Sequence, residues 1–191
     1  MAQRRTDLVE AALRVMRREG ASTMTTRAVA AEADVPHGSV HYAFSGKAPL
    51  LQAVMAADTN SAAQLFTTVA AEGGSPAEVL DRAFRGYIDR LVADPETELV
   101  MQELTLMGAR DPALTPLVAD WNAAYRINLA RLLDELATRH ARTWDAPVRV
   151  IVEQLLGVLF GCTVSWLVDR DEALLRATLT DAARVAATRL R

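Results

Sequence analysis

Proline, glycine and aspartate breakers divide this chain into segments whose apolar residues recur at the three- and four-residue spacing of α-helices. Strand signals are nearly absent, because β-branched residues do not alternate with polar ones. The pattern predicts an all-α protein of about nine helices. Their approximate expected bounds are 6–19, 26–33, 37–43, 47–72, 76–93, 96–108, 114–142, 147–170 and 172–190.

Composition limits the class of protein. Of the 191 residues 51% are apolar, which is enough for a sizeable core, and the single Cys162 cannot form an intramolecular disulfide. The most apolar stretch, residues 155–168, is shorter than the roughly 20 residues that a membrane-spanning helix needs, and no secretory leader is recognisable. We therefore expect a soluble cytoplasmic protein without a membrane partner.

Charge is distributed unevenly along the chain. Residues 1–55 carry seven Lys/Arg and five Asp/Glu, whereas the remainder carries fourteen and nineteen. A slightly basic head on an acidic body suits a protein that presents only its head to a polyanion. Lys47 stands out because it is the only lysine beside twenty arginines.

Two short predicted helices, at residues 26–33 and 37–43, are joined by a tight turn and flanked by longer helices, which is the arrangement of a helix-turn-helix. Asp34 lies where this turn favours a left-handed backbone, a conformation that Asp tolerates better than most residues. We expect Val40 and Phe44 to face inward. The positions between them then form an outward face of hydrogen-bond donors and one aromatic ring, with no carboxylate to repel phosphate.

Two runs of sequence in this region resemble the signature of the TetR family of bacterial transcriptional regulators. They are residues 25–30 (TTRAVA) and 35–51 (VPHGSVHYAFSGKAPLL), and the resemblance extends over about Thr6 to Val54. Three positions depart from the usual pattern. Pro36 replaces a small hydroxyl residue, Ala43 an aromatic residue or His, and Gly46 a polar cap.

The resemblance implies a homodimeric repressor whose third helix enters the major groove of an inverted-repeat operator. It also implies that a small-molecule effector in the C-terminal body releases the DNA. The implied domains are a DNA-binding domain at residues 1–50 and a ligand-binding and dimerisation domain at 51–191. Carried over position by position, the expected contacts with double-stranded DNA are Thr26, Arg27, His37, Gly38, Ser39, His41, Tyr42 and Lys47, of which Lys47 occupies the phosphate-clamping position.

An alternative remains open for two of these residues, since His41 and Tyr42 could instead pack on the first helix. A second alternative concerns the whole protein, which could be a helical module that acts through protein partners. An enzyme is the least favoured class. The three histidines, at positions 37, 41 and 140, are not spaced as metal ligands, and no phosphate-binding loop or serine nucleophile motif occurs. We expect no catalytic residues, no metal and no cofactor.

The eighth predicted helix is apolar on nearly every side, which predicts contact with its own domain and with a second surface. Gly157, Gly161 and Ser165 recur every four residues and would leave a groove for a closely approaching helix. In the TetR family the last two helices form a four-helix bundle across a two-fold axis. Packing within one chain is the alternative. The predicted dimer residues are Leu156, Gly157, Phe160, Gly161, Val164, Leu175 and Leu179.

The middle helices combine aromatic, Met and Leu residues with a few amides, which is the composition of a small-molecule cavity and equally of a core. We expect a mainly apolar effector there. The predicted ligand-binding residues are Phe84, Tyr87, Met101, Leu104, Met107, Trp121, Asn122, Tyr125, Asn128 and Gln154.

Overall fold

The computed structural model describes residues 2–191, and this range contains nine α-helices, which confirms the predicted all-α class. The described residues form no β-strand beyond one isolated bridge. The helices are α1 (Ala2–Glu19), α2 (Thr26–Glu32), α3 (His37–Phe44), α4 (Lys47–Glu72), α5 (Pro76–Ala93), α6 (Pro95–Arg110), α7 (Thr115–Arg139), α8 (Val148–Asp169) and α9 (Glu172–Ala187).

The predicted helix ends differ from the observed ones for local reasons. Helix α7 ends at Arg139 rather than near residue 142, because Ala141 adopts a left-handed backbone with φ of 50°. Helix α9 ends at Ala187 rather than 190, because Leu190 pairs with Trp144 in the isolated bridge. Extended pairing and helical hydrogen bonding compete for the same backbone groups, so the helix stops before the bridge.

The described chain divides into two compact units. The first comprises the described residues up to Thr59 together with Glu96–Asn122, and the second comprises Asn60–Pro95 and Ala123–Arg191. Helices α4 and α7 each contribute residues to both units. The two units are defined by contacts within the chain and not by function. The boundary near residue 50 between a DNA-binding and a ligand-binding domain therefore stays a prediction.

In the first unit, α1 packs on α2 and α3, and α2 packs on α3. Helix α6 is tied to the end of α1 by polar contacts. The backbone N–H of Ala21 donates to Glu103 Oε2 at 2.6 Å, and Arg17 Nε donates to Thr97 Oγ1 at 2.8 Å. The buried apolar side chains around α1, α2 and α3 include Leu8, Ala12, Val15, Met16, Met24, Val29, Val40, Phe44 and Leu50.

The second unit has a larger apolar core, in which α9 packs against α5 and α8. Helix α5 begins with a capping box: the Ser75 hydroxyl accepts the Glu78 N–H, and the Glu78 carboxylate accepts the Ser75 N–H at 2.8 Å. The hydrogen bonds that the Glu78 carboxylate accepts from the Ser75 N–H and from the Ser75 hydroxyl lower the pKa of Glu78. The largest fully buried side chains of this core include Leu80, Ile88, Leu133, Leu136, Ile151 and Leu179.

Among the described helices, α8 is long and apolar enough to cross a membrane, by length and composition only. Its 22 residues extend beyond the apolar stretch 155–168, which alone is too short to span a membrane, because the helix begins at Val148. A buried helix of a soluble protein passes the same test. Ile151, Leu155 and Leu159 on α8 are indeed buried in the core of the second unit.

Candidate nucleic-acid interface and ligand cavity

Local backbone chemistry fixes the helix-turn-helix. The side chain of Thr25 caps α2 by accepting the Ala28 N–H at 3.1 Å. Asp34 has the predicted left-handed conformation with φ of 52°, and the next N–H, of Val35, donates to Ala30 O at 3.0 Å. These two features end α2 and turn the chain so that α3 begins at His37.

Helix α3 is anchored by two of its eight residues. Val40 and Phe44 are buried, as the sequence predicted. His41 and Tyr42 are exposed, and Tyr42 retains 74% of its accessible surface. The alternative in which both pack on α1 is therefore wrong, since a packed side chain would be covered.

The predicted contact residues of α2 and α3 form a continuous surface. The ring of His37 lies with Nε2 3.2 Å from Thr26 Oγ1, and its centroid is 4.9 Å from that of His41 in an edge-to-face arrangement. We define the α3 face as this surface, and it consists of Thr26, Arg27, His37, Gly38, Ser39, His41 and Tyr42.

Arg27 and Gly38 of the α3 face interact little with the rest of the described chain. Arg27 is exposed and has no partner there. A Cβ added at Gly38 would meet no atom within 4 Å, so internal packing does not require glycine at that position. Ser39 is half-buried, and its N–H donates to Pro36 O at 2.8 Å. No side chain caps the start of α3, because Pro36 occupies the cap position.

Lys47, the predicted phosphate clamp, is half-buried at the start of α4. Its Nζ donates to Ser22 O at 3.4 Å, a long hydrogen bond to the loop after α1. Burial lowers the pKa of the Lys47 ammonium. The side chain is thus held close to the helix-turn-helix and is only partly solvated.

The carboxylate at the end of α2 is neutralised by arginines of α1. Glu32 accepts hydrogen bonds from Arg14 and Arg18, both at 2.8 Å. These two bonds lower the pKa of Glu32. The sequence alone does not predict this contact, because Glu32 lies 14 and 18 positions from its two arginine partners. The pairing reduces the electrostatic penalty that Glu32 would otherwise impose on a bound polyanion.

The second unit contains a narrow apolar cavity. Its cavity volume is only about 30 Å³. Three predicted ligand residues line it, namely Phe84, Tyr87 and Tyr125. The other lining residues are Ala62, Leu65, Phe66, Leu80, Ala83, Arg90, Leu129, Leu155, Leu156 and Leu159.

Polar groups at this cavity are few and already engaged. The Tyr87 hydroxyl lies 2.6 Å from Thr163 Oγ1, and Thr163 in turn donates to Leu159 O at 2.9 Å. Arg90 donates to Ser61 Oγ at 2.7 Å. The cavity therefore presents mostly hydrocarbon and aromatic surface to anything that enters it.

The remaining predicted ligand residues do not line this cavity. Met101, Leu104 and Trp121 are buried in the first unit, and Met107 and Asn122 are half-buried there. In the second unit, Asn128 lines a shallow groove, and the exposed Gln154 accepts a hydrogen bond from Arg189. The structure thus brings together only part of the predicted set. Their roles in ligand binding stay a prediction.

The predicted dimer residues fall into two groups. Leu156, Leu175 and Leu179 are buried within the single chain, and half-buried Phe160 packs edge-to-face on Tyr125 at 6.0 Å. Gly157, Gly161 and Val164 are exposed instead, and a Cβ added at either glycine would meet nothing within 4 Å. The alternative that these glycines serve close packing within one chain is therefore wrong. We define the α8 face as Gly157, Val158, Gly161, Val164 and Val168, all exposed.

Comparisons with known proteins agree with this geometry. A sequence model of the bacterial regulatory proteins of the tetR family matches residues 8–54, which include α2, α3 and the start of α4. The HTH-type nicotine-responsive transcriptional repressor HdnoR of Paenarthrobacter nicotinovorans is 26% identical over 169 residues, which cover 88% of this chain and 86% of that protein.

Solved structures share the fold over nearly the whole chain. A TetR transcription regulator from Haloarcula marismortui aligns with a TM-score of 0.80 and 17% identity, covering 100% of both chains. The FadR repressor of Thermus thermophilus, solved with lauroyl-CoA, aligns with a TM-score of 0.71 and 19% identity, covering 95% of this chain and 92% of its own.

The family model covers the helix-turn-helix, the repressor relative covers most of both chains, and the nine-helix fold is shared with other regulators of this type. Each of these proteins is named as a transcriptional regulator or repressor. Residues 8–54 thus match the tetR family of bacterial regulatory proteins, and the chain as a whole is similar to transcriptional regulators of that type.

Proposed function

We propose that this protein is a cytoplasmic repressor that binds an inverted-repeat operator as a homodimer and releases it when a small, mainly apolar effector binds. The observation that carries the DNA-binding part is the α3 face. Its side chains are donors and rings that the fold itself does not need, as Tyr42 with 74% exposure illustrates. Val40 and Phe44 anchor the same helix from the inside. A rigid helix that presents exposed donors suits the major groove.

The dimer is supported by the chemistry of the C-terminal helices. Apolar side chains on α8 and α9 remain exposed in the single chain, among them Val164, Val168, Leu174 and Val185. Several exposed apolar side chains on two helices favour a contact site, and the open glycines of the α8 face allow a second helix to approach closely. A two-fold dimer presents two copies of α3, which requires an operator with inverted half-sites about 34–36 Å apart or a multiple of that.

The effector is supported by the cavity in the second unit. HdnoR is named for its response to nicotine, which has aromatic parts, and the Thermus FadR structure contains lauroyl-CoA, which has a long aliphatic part. Because the cavity volume of about 30 Å³ is far below the roughly 300 Å³ of a small-molecule pocket, an effector must widen it, and the lining helices must move as it binds. Such movement gives an effector the differential affinity that release of DNA requires.

The direct test is DNA binding to the region flanking the gene, measured by fluorescence anisotropy at several salt concentrations. We expect saturable binding that Tyr42→Ala weakens about tenfold or more without changing the thermal melt. Lys47→Ala should weaken binding to all DNA sequences. It should also reduce the slope of log affinity against log salt by about one unit for each phosphate that the lysine no longer neutralises.

Gln64→Ala is the control, since Gln64 is an exposed residue of α4 outside the proposed interface. If the wild type binds this DNA no better than unrelated DNA, or if Tyr42→Ala and Lys47→Ala both bind as the wild type does, the proposal is wrong. Nicotine and lauroyl-CoA are the first probes for release, because they are the ligands named for relatives.

A further inference from the structure

Arg5, in the first turns of α1, interacts with the end of α3 across 38 positions of sequence. Its guanidinium carbon lies 4.2 Å from the ring centroid of Phe44. Arg5 Nη1 also donates a hydrogen bond to the Ala43 carbonyl. One side chain of α1 therefore stacks on the inner anchor of α3 and binds its backbone.

Helix α3 needs such support at this end. It has only eight residues, and an isolated helix of that length is unstable in water. The last carbonyls of any helix lack intrahelical partners and carry partial negative charge. Arg5 supplies a donor and a positive charge there, whereas the opposite end of α3 has no side-chain cap. The guanidinium face also fits the electron-rich face of an aromatic ring.

We propose that Arg5 is a positioning residue, which fixes the orientation of α3 and hence of the α3 face, and does not itself contact DNA. The proposal rests on the proposed DNA-binding function. Its basis is that the guanidinium face of Arg5 packs on the Phe44 ring, and that an N–H at its edge donates to the Ala43 carbonyl. Arg4 provides a matched comparison, because it is exposed and has no partner among the described residues.

The experiment compares Arg5→Met, Arg5→Lys and Arg4→Met in the full-length protein. The first removes the charge and the donor but keeps an unbranched side chain, the second keeps the charge and a donor, and the third removes a neighbouring charge. Hydrogen exchange of the α3 backbone amides is measured without DNA. Affinity is then measured for the operator and for unrelated DNA over a range of salt concentrations.

We expect Arg5→Met to accelerate exchange at residues 41–45 and to weaken operator binding about tenfold, whereas affinity for unrelated DNA changes less than about twofold. The salt slope should remain that of the wild type, because Arg5 neutralises no phosphate under this proposal. Arg5→Lys should restore most of the operator affinity and of the protection of α3 from exchange. Arg4→Met should leave the exchange of α3 unchanged.

Two results would overturn the proposal. One is unchanged α3 exchange together with unchanged operator affinity in Arg5→Met. The other is an equal loss of affinity for operator and unrelated DNA with a salt slope smaller by about one unit, which would identify Arg5 as a phosphate-binding residue. A wild type that binds no DNA specifically would refute the proposed function, and exchange without DNA would still decide whether Arg5 holds α3.

Discussion

The α8 face and most of the α3 face are exposed in the single chain, yet their chemistry is opposite. The α3 face carries hydroxyl, imidazole and guanidinium donors and no carboxylate. The α8 face carries glycine and valine, and Val168 exposes 79% of its surface. In each case the inner side of the same helix is buried, at Val40 on α3 and at Leu155 on α8. Packing within the folded chain therefore explains the residue types on the buried side of each helix but not those on the exposed side.

This difference indicates the kind of partner that each face fits. Donors on a rigid helix can replace the water around phosphates and base edges, which favours a hydrated polyanion. Valine and glycine offer no side-chain hydrogen bonds to such a partner. Burying them against another apolar helix is favourable, because it removes apolar surface from water. Substitutions on the α8 face should therefore affect dimer formation first, and substitutions on the α3 face should affect DNA binding without affecting the dimer.

The largest effect should come from Gly161→Arg on the α8 face. A Cβ at Gly161 meets nothing within 4 Å, so the isolated chain should accept the side chain and keep its helical content. At a dimer interface, however, the same arginine would bury an unpaired charge, which is costly. We expect dissociation to monomers at micromolar concentration and a loss of operator affinity of about a hundredfold or more. Sedimentation and circular dichroism provide the measurements.

Gln64→Arg is the matched control, since it places the same side chain on an exposed position of α4. It should remain a dimer with wild-type affinity for DNA. A Gly161→Arg protein that sediments as a dimer and binds the operator normally would show that the α8 face is not an interface.

A smaller effect is expected from Arg27→Ala on the α3 face. Arg27 is exposed without a partner in the described chain, so its removal should leave the thermal melt within about one degree. A guanidinium that reads a base edge typically contributes about 1–3 kcal/mol, which corresponds to a loss of about tenfold to a hundredfold in operator affinity. Anisotropy titrations measure that loss, and sedimentation should still report a dimer.

Arg131→Ala, which removes an exposed arginine of α7, is the control and should bind DNA as the wild type does. If Arg27→Ala keeps full affinity while Tyr42→Ala loses it, the DNA-contacting part of the α3 face is limited to α3 itself.

Local sequence signals were sufficient for most of the fold and for the exposed side of α3. Breakers placed the helix ends, as Asp34 shows with its left-handed turn, and the three- and four-residue spacing correctly assigned Val40 and Phe44 to the inside. These properties depend on residues within one or two helical turns. A single sequence contains that information directly.

Properties that depend on distant residues could not be predicted in the same way. Leu175 and Leu179 have the apolar spacing of a contact surface, but their own chain covers them. Trp121 is a large aromatic residue of the kind that often lines ligand pockets, yet it does not line the cavity that Tyr87 lines. The hydrogen bond from Arg5 to the end of α3 has no local sequence signature at all. Periodicity identifies an apolar face but not the neighbour that covers it.

The smallest effects should come from two alanine substitutions that compare the faces directly, Gly38→Ala and Gly157→Ala. Both glycines lie within helices, neither has a positive φ, and an added Cβ meets nothing within 4 Å at either site. Alanine is the better helix former by roughly 0.5–1 kcal/mol in a helix interior, so both substitutions should stabilise the fold by up to about that amount. Chemical denaturation at several protein concentrations measures this gain.

Their functional consequences should differ, because each added methyl group lies on a different proposed contact surface. Gly38→Ala should weaken operator binding severalfold, since the methyl group occupies space needed by the DNA backbone, and should leave the dimer unchanged. Gly157→Ala should raise the dimer dissociation constant severalfold, since the helices can no longer approach as closely. It should leave the salt slope of DNA binding unchanged. If Gly38→Ala instead perturbs the dimer, or if Gly157→Ala alters the salt slope, the assignment of one partner to each face is wrong. If both variants gain stability and keep wild-type dimerisation and DNA binding, then these glycines lie outside the contact surfaces. The DNA-binding surface would then be centred on Tyr42 without Gly38, and the dimer surface on Val164 without Gly157.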